Sequence, residues 1–320
     1  MPEYSPEYPI PPRTRLDNGA SPPAQCWDQS LVKSSLDELF NLARHYKSSG
    51  AYHELIKFIA RFRWYSPFNA MLIHIQMPGA TFVAPPNRWL RKYFRCIKVE
   101  ARPLVILQPM GPVMFVFDVS DTEPKEGAPP LPREVEHPFE VWSGRIGGQF
   151  AQTIESAKRD GVAISERQAG SQSAGEISVA APGNHLDFLF KKGPQPEYRR
   201  VPLRYSLLLN ANHPREAKYA TLVHELGHLY CGHLGTPNDK WWPDRRNLRE
   251  DLCEFEAESI CYLVCGRLGI NNPSDEYLAQ YVKNHPETPP ISLDCVMRAA
   301  GLIEQMGRQR LKLRKEKESE

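Results

Sequence analysis

The stretch YATLVHELGHLYCGHLG, residues 219–235, decides how the second half of the chain folds. His224 and His228 stand four residues apart, which on an α-helix sets them about 40° apart around the axis. Two imidazoles so placed can point at one metal ion, and Glu225, one residue along, reaches a water held there. The rest of the wheel agrees. Ala217, Ala220, Gly227, His228 and Cys231 fall within about 60° of His224, whereas Leu222, Leu226 and Leu229 lie opposite. One face is therefore greasy and suited to a core; the other is built of small residues that leave room for an ion, a substrate and a close partner helix. His233 follows nine residues after His224, about 180° around the same wheel, and reads as a core or helix-end histidine on the leucine face.

A catalytic zinc site needs a third protein ligand. The positions where a metzincin would carry Gly and His are Cys231 and Leu234. The better source is NLREDLCEFEAESICYLVCGRLG, residues 247–269, a helix that Asn247 and Glu250 can cap and Gly269 can close. Glu254 and Glu258 share its apolar face with Cys261, Cys265 and Leu268, while Glu256 points the other way, toward solvent. Carboxylates on an apolar face carry a desolvation penalty and repel each other at this spacing. A divalent cation at Glu254 relieves both costs, with Glu258 accepting the outer N–H of a ligating histidine. Glu258 and Glu250 remain alternatives for the ligand itself.

These residues resemble gluzincin-type metallopeptidases and, over Leu203 to Ile270, the ImmA/IrrE metallopeptidases. The carrying features are the strand SLLLN, the HELGH helix, and a second helix bearing Glu254-Phe255-Glu256-Ala257-Glu258. The resemblance implies a zincin-like domain with His224, His228 and Glu254 as Zn2+ ligands and Glu225 as the catalytic acid/base. The family often has Asn or Asp where Glu258 stands.

The 320 residues favour about two domains, and 41% hydrophobic with 24% charged residues is the composition of a globular chain with a real core. The organisation expected is α+β throughout: a Pro-rich disordered leader at 1–29, a small α+β unit at 30–122, an acidic Pro-rich linker at 123–138, the zincin-like unit with a mixed sheet at 139–305, and a charged tail at 306–320. Within the first unit, helices are expected over SLVKSSLDELFNLARHY, AYHELIKFIARF and from Ser66-Pro67 to Met77, followed by strands at 81–84, 103–109 and 113–119 with Gly111-Pro112 as a turn. RRVPLRYSLLLN, 199–210, reads as one strand and a candidate edge for an extended peptide.

Net charge is +2, which excludes a chain-wide polycation, but residues 51–103 hold nine Lys/Arg against two acids. Lys57, Arg61, Arg63, Trp64, Arg88, Trp89, Arg91, Lys92, Tyr93, Phe94, Arg95 and Lys98 interleave bases with aromatics, as a groove for single-stranded DNA does. Equally, Trp64, Trp89 and Phe94 can be core and the bases a solvated rim. The stretches SPFNAMLIHIQ, RWLRKYFRCIKVEARPLVILQP and FVFDVSDT resemble the N-terminal domain of ArdC-like antirestriction proteins, which implies single-stranded DNA binding through residues such as Trp64, Trp89, Arg91, Lys92 and Arg95.

The seven cysteines have no C-x-x-C spacing, no apolar segment of membrane length exists, and MPEYSPEYPIPPR carries no secretory signal, so a cytoplasmic protein is expected. Two functions compete: a zinc endopeptidase cleaving a protein such as a regulator, and a single-strand-binding antirestriction or DNA-protection factor whose metal site is structural or vestigial. Tyr205, His213 and Arg246 are candidates for a transition-state donor, with nothing to choose among them.

Overall fold

A computed structural model of the chain describes residues 46, 48–108, 111–136, 144–169, 174–191 and 193–314. The leader, the helix expected over 30–46 except Tyr46, and the last residues of the charged tail lie outside the described residues.

The fold is α+β. Two helices open the described chain, α1 (Ser49–Arg61) and α2 (Pro67–Gln76). Each starts on a serine: Ser48 Oγ accepts from Ala51 N at 3.2 Å, and Ser66 Oγ from Asn69 N at 3.3 Å. Pro67 sits at the first helical position, where a missing N–H costs nothing. Strands β1 (Val83–Ala84), β3 (Leu104–Gln108) and β4 (Gly111–Asp118) form an antiparallel sheet in the order β1–β4–β3, with α3 (Pro86–Lys92) and β2 (Arg95–Ile97) between β1 and β3 in sequence. Gly111-Pro112, expected as a turn, begins β4. The outer edge of β3 is closed by two amide side chains of α2. Asn69 exchanges two 3.0 Å hydrogen bonds with the backbone of Leu107, and Gln76 exchanges two of 2.9 Å with Val105.

The stretch read as a linker contributes structure. β5 (Thr122–Pro124) pairs with β2, and α4 (Arg133–Glu136) buries Val135 in a small cluster with Phe82, Trp89 and Tyr93.

After α5 (Gln149–Arg159) comes a second sheet in the order β6–β10–β7, built from β6 (Val162–Arg167), β7 (Gly175–Val179) and β10 (Tyr205–Asn210). β10 runs parallel to β6 and antiparallel to β7, so this is a mixed sheet. β8 (His185–Lys191) and β9 (Glu197–Pro202) form a separate antiparallel ribbon. The strand expected over 199–210 is thus two strands, broken at Leu203-Arg204, and its second half is central rather than an edge. Four helices complete the chain: α6 (Arg215–Tyr230), α7 (Glu250–Leu268), α8 (Ser274–Asn284) and α9 (Leu293–Arg308). None of the described helices is long and apolar enough to cross a membrane.

One continuous core runs from Tyr52 to Met306 and draws on α1 and α2 as well as on α6, α7 and α9. Arg267 of α7 fixes this junction. Its guanidinium donates to the carbonyls of Ile59 and Phe62 at 2.8 Å, reaches those of Arg63 and Tyr65, and pairs with Glu304 of α9. The C-terminal carbonyls of α1, which a helix leaves unsatisfied, find their donors there. Tyr52 adds a buried hydroxyl bond to Ser259 at 2.8 Å.

Candidate metal centre

Helix α6 lies on the mixed sheet with Leu222, Val223, Leu226 and Leu229 fully buried. Its other face meets α7. A Cβ on Gly227 would lie 3.4 Å from Ala257 Cα and from Ile260 Cδ1, so the small residues of both helices set their separation. That separation brings Glu254 to the histidine pair. His224 Nε2 and His228 Nε2 are 3.1 Å apart, and the two Glu254 oxygens lie 3.4 Å from one nitrogen each.

Three donors at these spacings can hold a divalent metal ion. Tetrahedral bonds of ~2.05 Å place neighbouring ligand atoms about 3.3 Å apart; the edge between the histidines and the edges from each histidine to a different oxygen of Glu254 are of that size. The donor set, two imidazoles and a carboxylate, suits a borderline-soft ion such as zinc. Glu258 Oε1 stands 3.6 Å from His224 Nδ1, on the outer side of that ring. Glu250, the remaining alternative, is exposed in the first turn of α7.

The charges around the cluster are strongly coupled. Burial disfavours a protonated His224, but Glu254, Glu258 and Glu225 outweigh it and raise its pKa to about 9. Burial and the adjacent His224 push His228 down. Glu254 is lowered, first by its hydrogen bond with His224. Glu225 is raised by burial, countered in part by His224 and by the backbone N–H of Ile177 on β7. β7 forms an edge of the sheet and crosses α6 closely; a Cβ on Gly175 would fall 2.5 Å from Thr221 Cγ2.

Three sequence expectations are corrected here. His233 is not on the leucine face. The helix stops at Tyr230, Gly232 takes φ +81°, and the amides of Gly232 and His233 close on the carbonyls of Leu229 and His228 at 3.0 Å. This left-handed closure folds His233 back until its Nδ1 lies 3.0 Å from His228 Nδ1. Glu256 does not face solvent either: it is fully buried, gripped by Arg245 and 2.9 Å from His233 Nε2. A wheel with one buried face fails because α7 packs against α1, α6, α8 and α9. Asn247 does not cap this helix; it starts at Glu250, after Arg249, without a side-chain cap. Gly269 does close it, at φ +73°.

Of the transition-state candidates, Tyr205 directs its hydroxyl to Gly235 O at 3.3 Å, Arg246 is paired with Asp244, and His213 Nε2 lies 3.4 Å from Asn210 Nδ2. Sequence reasoning missed Tyr277, half-exposed on α8, whose hydroxyl is raised by burial and then by the nearby charges of Glu258 and Glu254. No local spacing links a residue on α8 to the motif.

In the first unit, of the two readings open for Trp89, stacking surface or core, the structure shows core. It is fully buried, donates its indole N–H to Phe117 O at 2.9 Å, and meets the rings of Phe82 and Tyr93 at 5.7 and 5.1 Å. Trp64 is half-buried with its ring 6.0 Å from that of Phe82, and Arg95 donates to Thr122 at 2.6 and 2.9 Å. Arg91 and Lys92 are exposed, Lys92 lying 5.1 Å over the Tyr93 ring. Phe94, 49% exposed, is the aromatic that faces solvent, at φ +54°.

Residues 185–265, from β8 to most of α7, match the family model described as Peptidase_M78, IrrE N-terminal-like domain. This segment in the second half of the chain is thus similar to an ImmA/IrrE-type domain. Among solved structures it is similar to the antirestriction ArdC protein from R388 plasmid, in its metal-free crystal structure. They share 12% identity over 80% of this chain and 94% of that one, with a TM-score of 0.32, too loose to transfer any property. No curated protein matches the chain.

Proposed function

We propose that the protein is a zinc-dependent endopeptidase of the ImmA/IrrE type that cleaves a protein substrate such as a regulator. The observation that carries this reading is the convergence of His224, His228 and Glu254 within 3.4 Å of one another, with Glu225 on the adjoining turn. Zinc bound by these three residues would supply a Lewis acid that lowers the pKa of a water to roughly 7 and polarises a peptide carbonyl.

The chain's own groups do the rest. The Glu225 carboxylate takes the proton from the attacking water and returns it to the leaving amine nitrogen; its raised pKa suits both transfers. Glu258 beside His224 Nδ1 steadies that ring. A peptide in extended form has the edge of β7 available beside α6, where Ile177 N–H already reaches toward Glu225. Tyr277, whose hydroxyl feels the charges of Glu258 and Glu254, is a candidate for a donor to the developing oxyanion. Incubation of candidate protein substrates with wild type and with Glu225→Gln tests the reading. Cleavage by wild type alone is expected; equal cleavage by both removes it.

A second reading, single-stranded DNA binding with a structural metal site, is favoured by one observation. Phe94 is exposed in a left-handed conformation that bulky residues rarely adopt, beside exposed Arg91 and Lys92. Salt-sensitive binding of an oligonucleotide that Phe94→Ala and Arg91→Ala weaken is its signature. No binding at low salt rejects it.

A further inference from the structure

Behind His228 runs a chain of polar contacts that hydrolysis as described does not use. His228 Nδ1 lies 3.0 Å from His233 Nδ1, and His233 Nε2 lies 2.9 Å from Glu256 Oε2. Arg245 holds the same carboxylate in bidentate form, Nη1 to Oε2 at 2.6 Å and Nη2 to Oε1 at 2.7 Å, and the Ser292 backbone N–H donates to Oε1 at 2.7 Å. Glu256 has no exposed side-chain surface and His233 only 4%.

These contacts dictate where the protons are. Three of the four groups on the Glu256 carboxylate can only donate, so the carboxylate is ionised, and His233 Nε2 must donate as well. A neutral imidazole has one N–H. In the arrangement with a single N–H on Nε2, the Nδ1 of His233 is a lone pair, and His228 Nδ1 carries the proton that joins them. That leaves the lone pair of His228 on Nε2, the atom facing His224 and Glu254.

We propose that His233, anchored by Glu256 and Arg245, is the positioning residue that fixes His228 as its Nδ1–H tautomer and so directs His228 Nε2 toward the metal. The inference rests on the zinc reading above for its purpose, though not for its proton arrangement. It assigns a task to the left-handed turn at Gly232, where a Cβ would lie 1.9 Å from Pro243 O. The same turn returns His233 to His228 only because no side chain intervenes. Cys231, His233 and Glu256 also have donor atoms within 4.8 Å of one another. The Arg245 guanidinium on Glu256 competes with a cation there.

The test uses the full-length, metal-free chain labelled with 15N in histidine. Nitrogen chemical shifts are expected to report His228 as Nδ1–H in wild type and shifted toward Nε2–H in His233→Phe, with melting curves confirming that the variant folds. Zinc alone, titrated against a chromophoric chelator, should bind about 10–100-fold more weakly to His233→Phe, with part of the loss recovered in His233→Gln, whose amide oxygen can accept. An Nε2–H tautomer in wild type overturns the proposal, and that measurement needs no variant. So does unchanged zinc affinity in a folded His233→Phe, or two zinc ions per wild-type chain with one lost in Cys231→Ser. Wild type that keeps the Nδ1–H tautomer yet takes up no zinc would remove the peptidase reading and leave the proton arrangement standing.

Discussion

Gly227 on α6 and Ala257 on α7 face each other so closely that a Cβ on the glycine would just touch the alanine Cα, at 3.4 Å. The distance is ordinary van der Waals contact, and Gly in a helix interior is less favourable than Ala by roughly 1 kcal/mol. Gly227→Ala should therefore leave stability unchanged or raise it slightly, and keep zinc binding. Gly227→Leu should force the helices apart, cost about 1–3 kcal/mol, and weaken zinc binding because Glu254 retreats. Denaturant midpoints and chelator competition read both variants.

Arg267 is expected to be the strongest single determinant of how α1 holds to the rest. Arg267→Ala leaves the buried Glu304 with only the more exposed Arg308 and takes a donor from the carbonyls of Ile59 and Phe62. A loss of about 3–5 kcal/mol follows from breaking a buried pair on one side. The double variant Arg267→Met with Glu304→Met should recover only part of it, because the carbonyls of Ile59 and Phe62 still lack the guanidinium donor. Urea unfolding of the three proteins measures the difference.

Zinc uptake should depend on pH with a definite sign. In the metal-free protein His224 carries a proton up to about pH 9, whereas a ligating imidazole must be neutral. Binding at neutral pH therefore releases about one proton from this site, and affinity climbs from pH 6 to 9 before levelling. Calorimetry in buffers of different ionisation enthalpy counts the proton. Affinity that is flat over that range would show His224 to be neutral already.

How much of this was legible from sequence follows from how local each signal is. The pair His224 and His228 needs only helical spacing and could be read along one helix. Glu254 stands out in the sequence as an acid on an apolar face, yet its side chain is 43% exposed and the buried acid of that helix is Glu256. His233 could not be placed by continuing the wheel, because the wheel ends at Gly232. The Cys231-Gly232-His233 string held the signal, a glycine at a helix end. Glu256 was misjudged because α7 is enclosed on several sides, a property of the neighbours and not of its own sequence. Trp89 stayed open between stacking surface and core because aromatics among bases read alike whether they face in or out, and only the packing of Phe82, Tyr93 and Val135 decides. The central place of β10 depended on β6 and β7 flanking it from earlier in the chain.

The central claim is that two imidazoles and the Glu254 carboxylate hold one catalytic ion. Elemental analysis of protein purified without chelators, wild type beside Glu254→Ala, tests it most directly. Close to one zinc per wild-type chain, lost in a Glu254→Ala protein that still folds, is the predicted result. Wild type free of metal after incubation with zinc, or Glu254→Ala retaining the full complement, would contradict it.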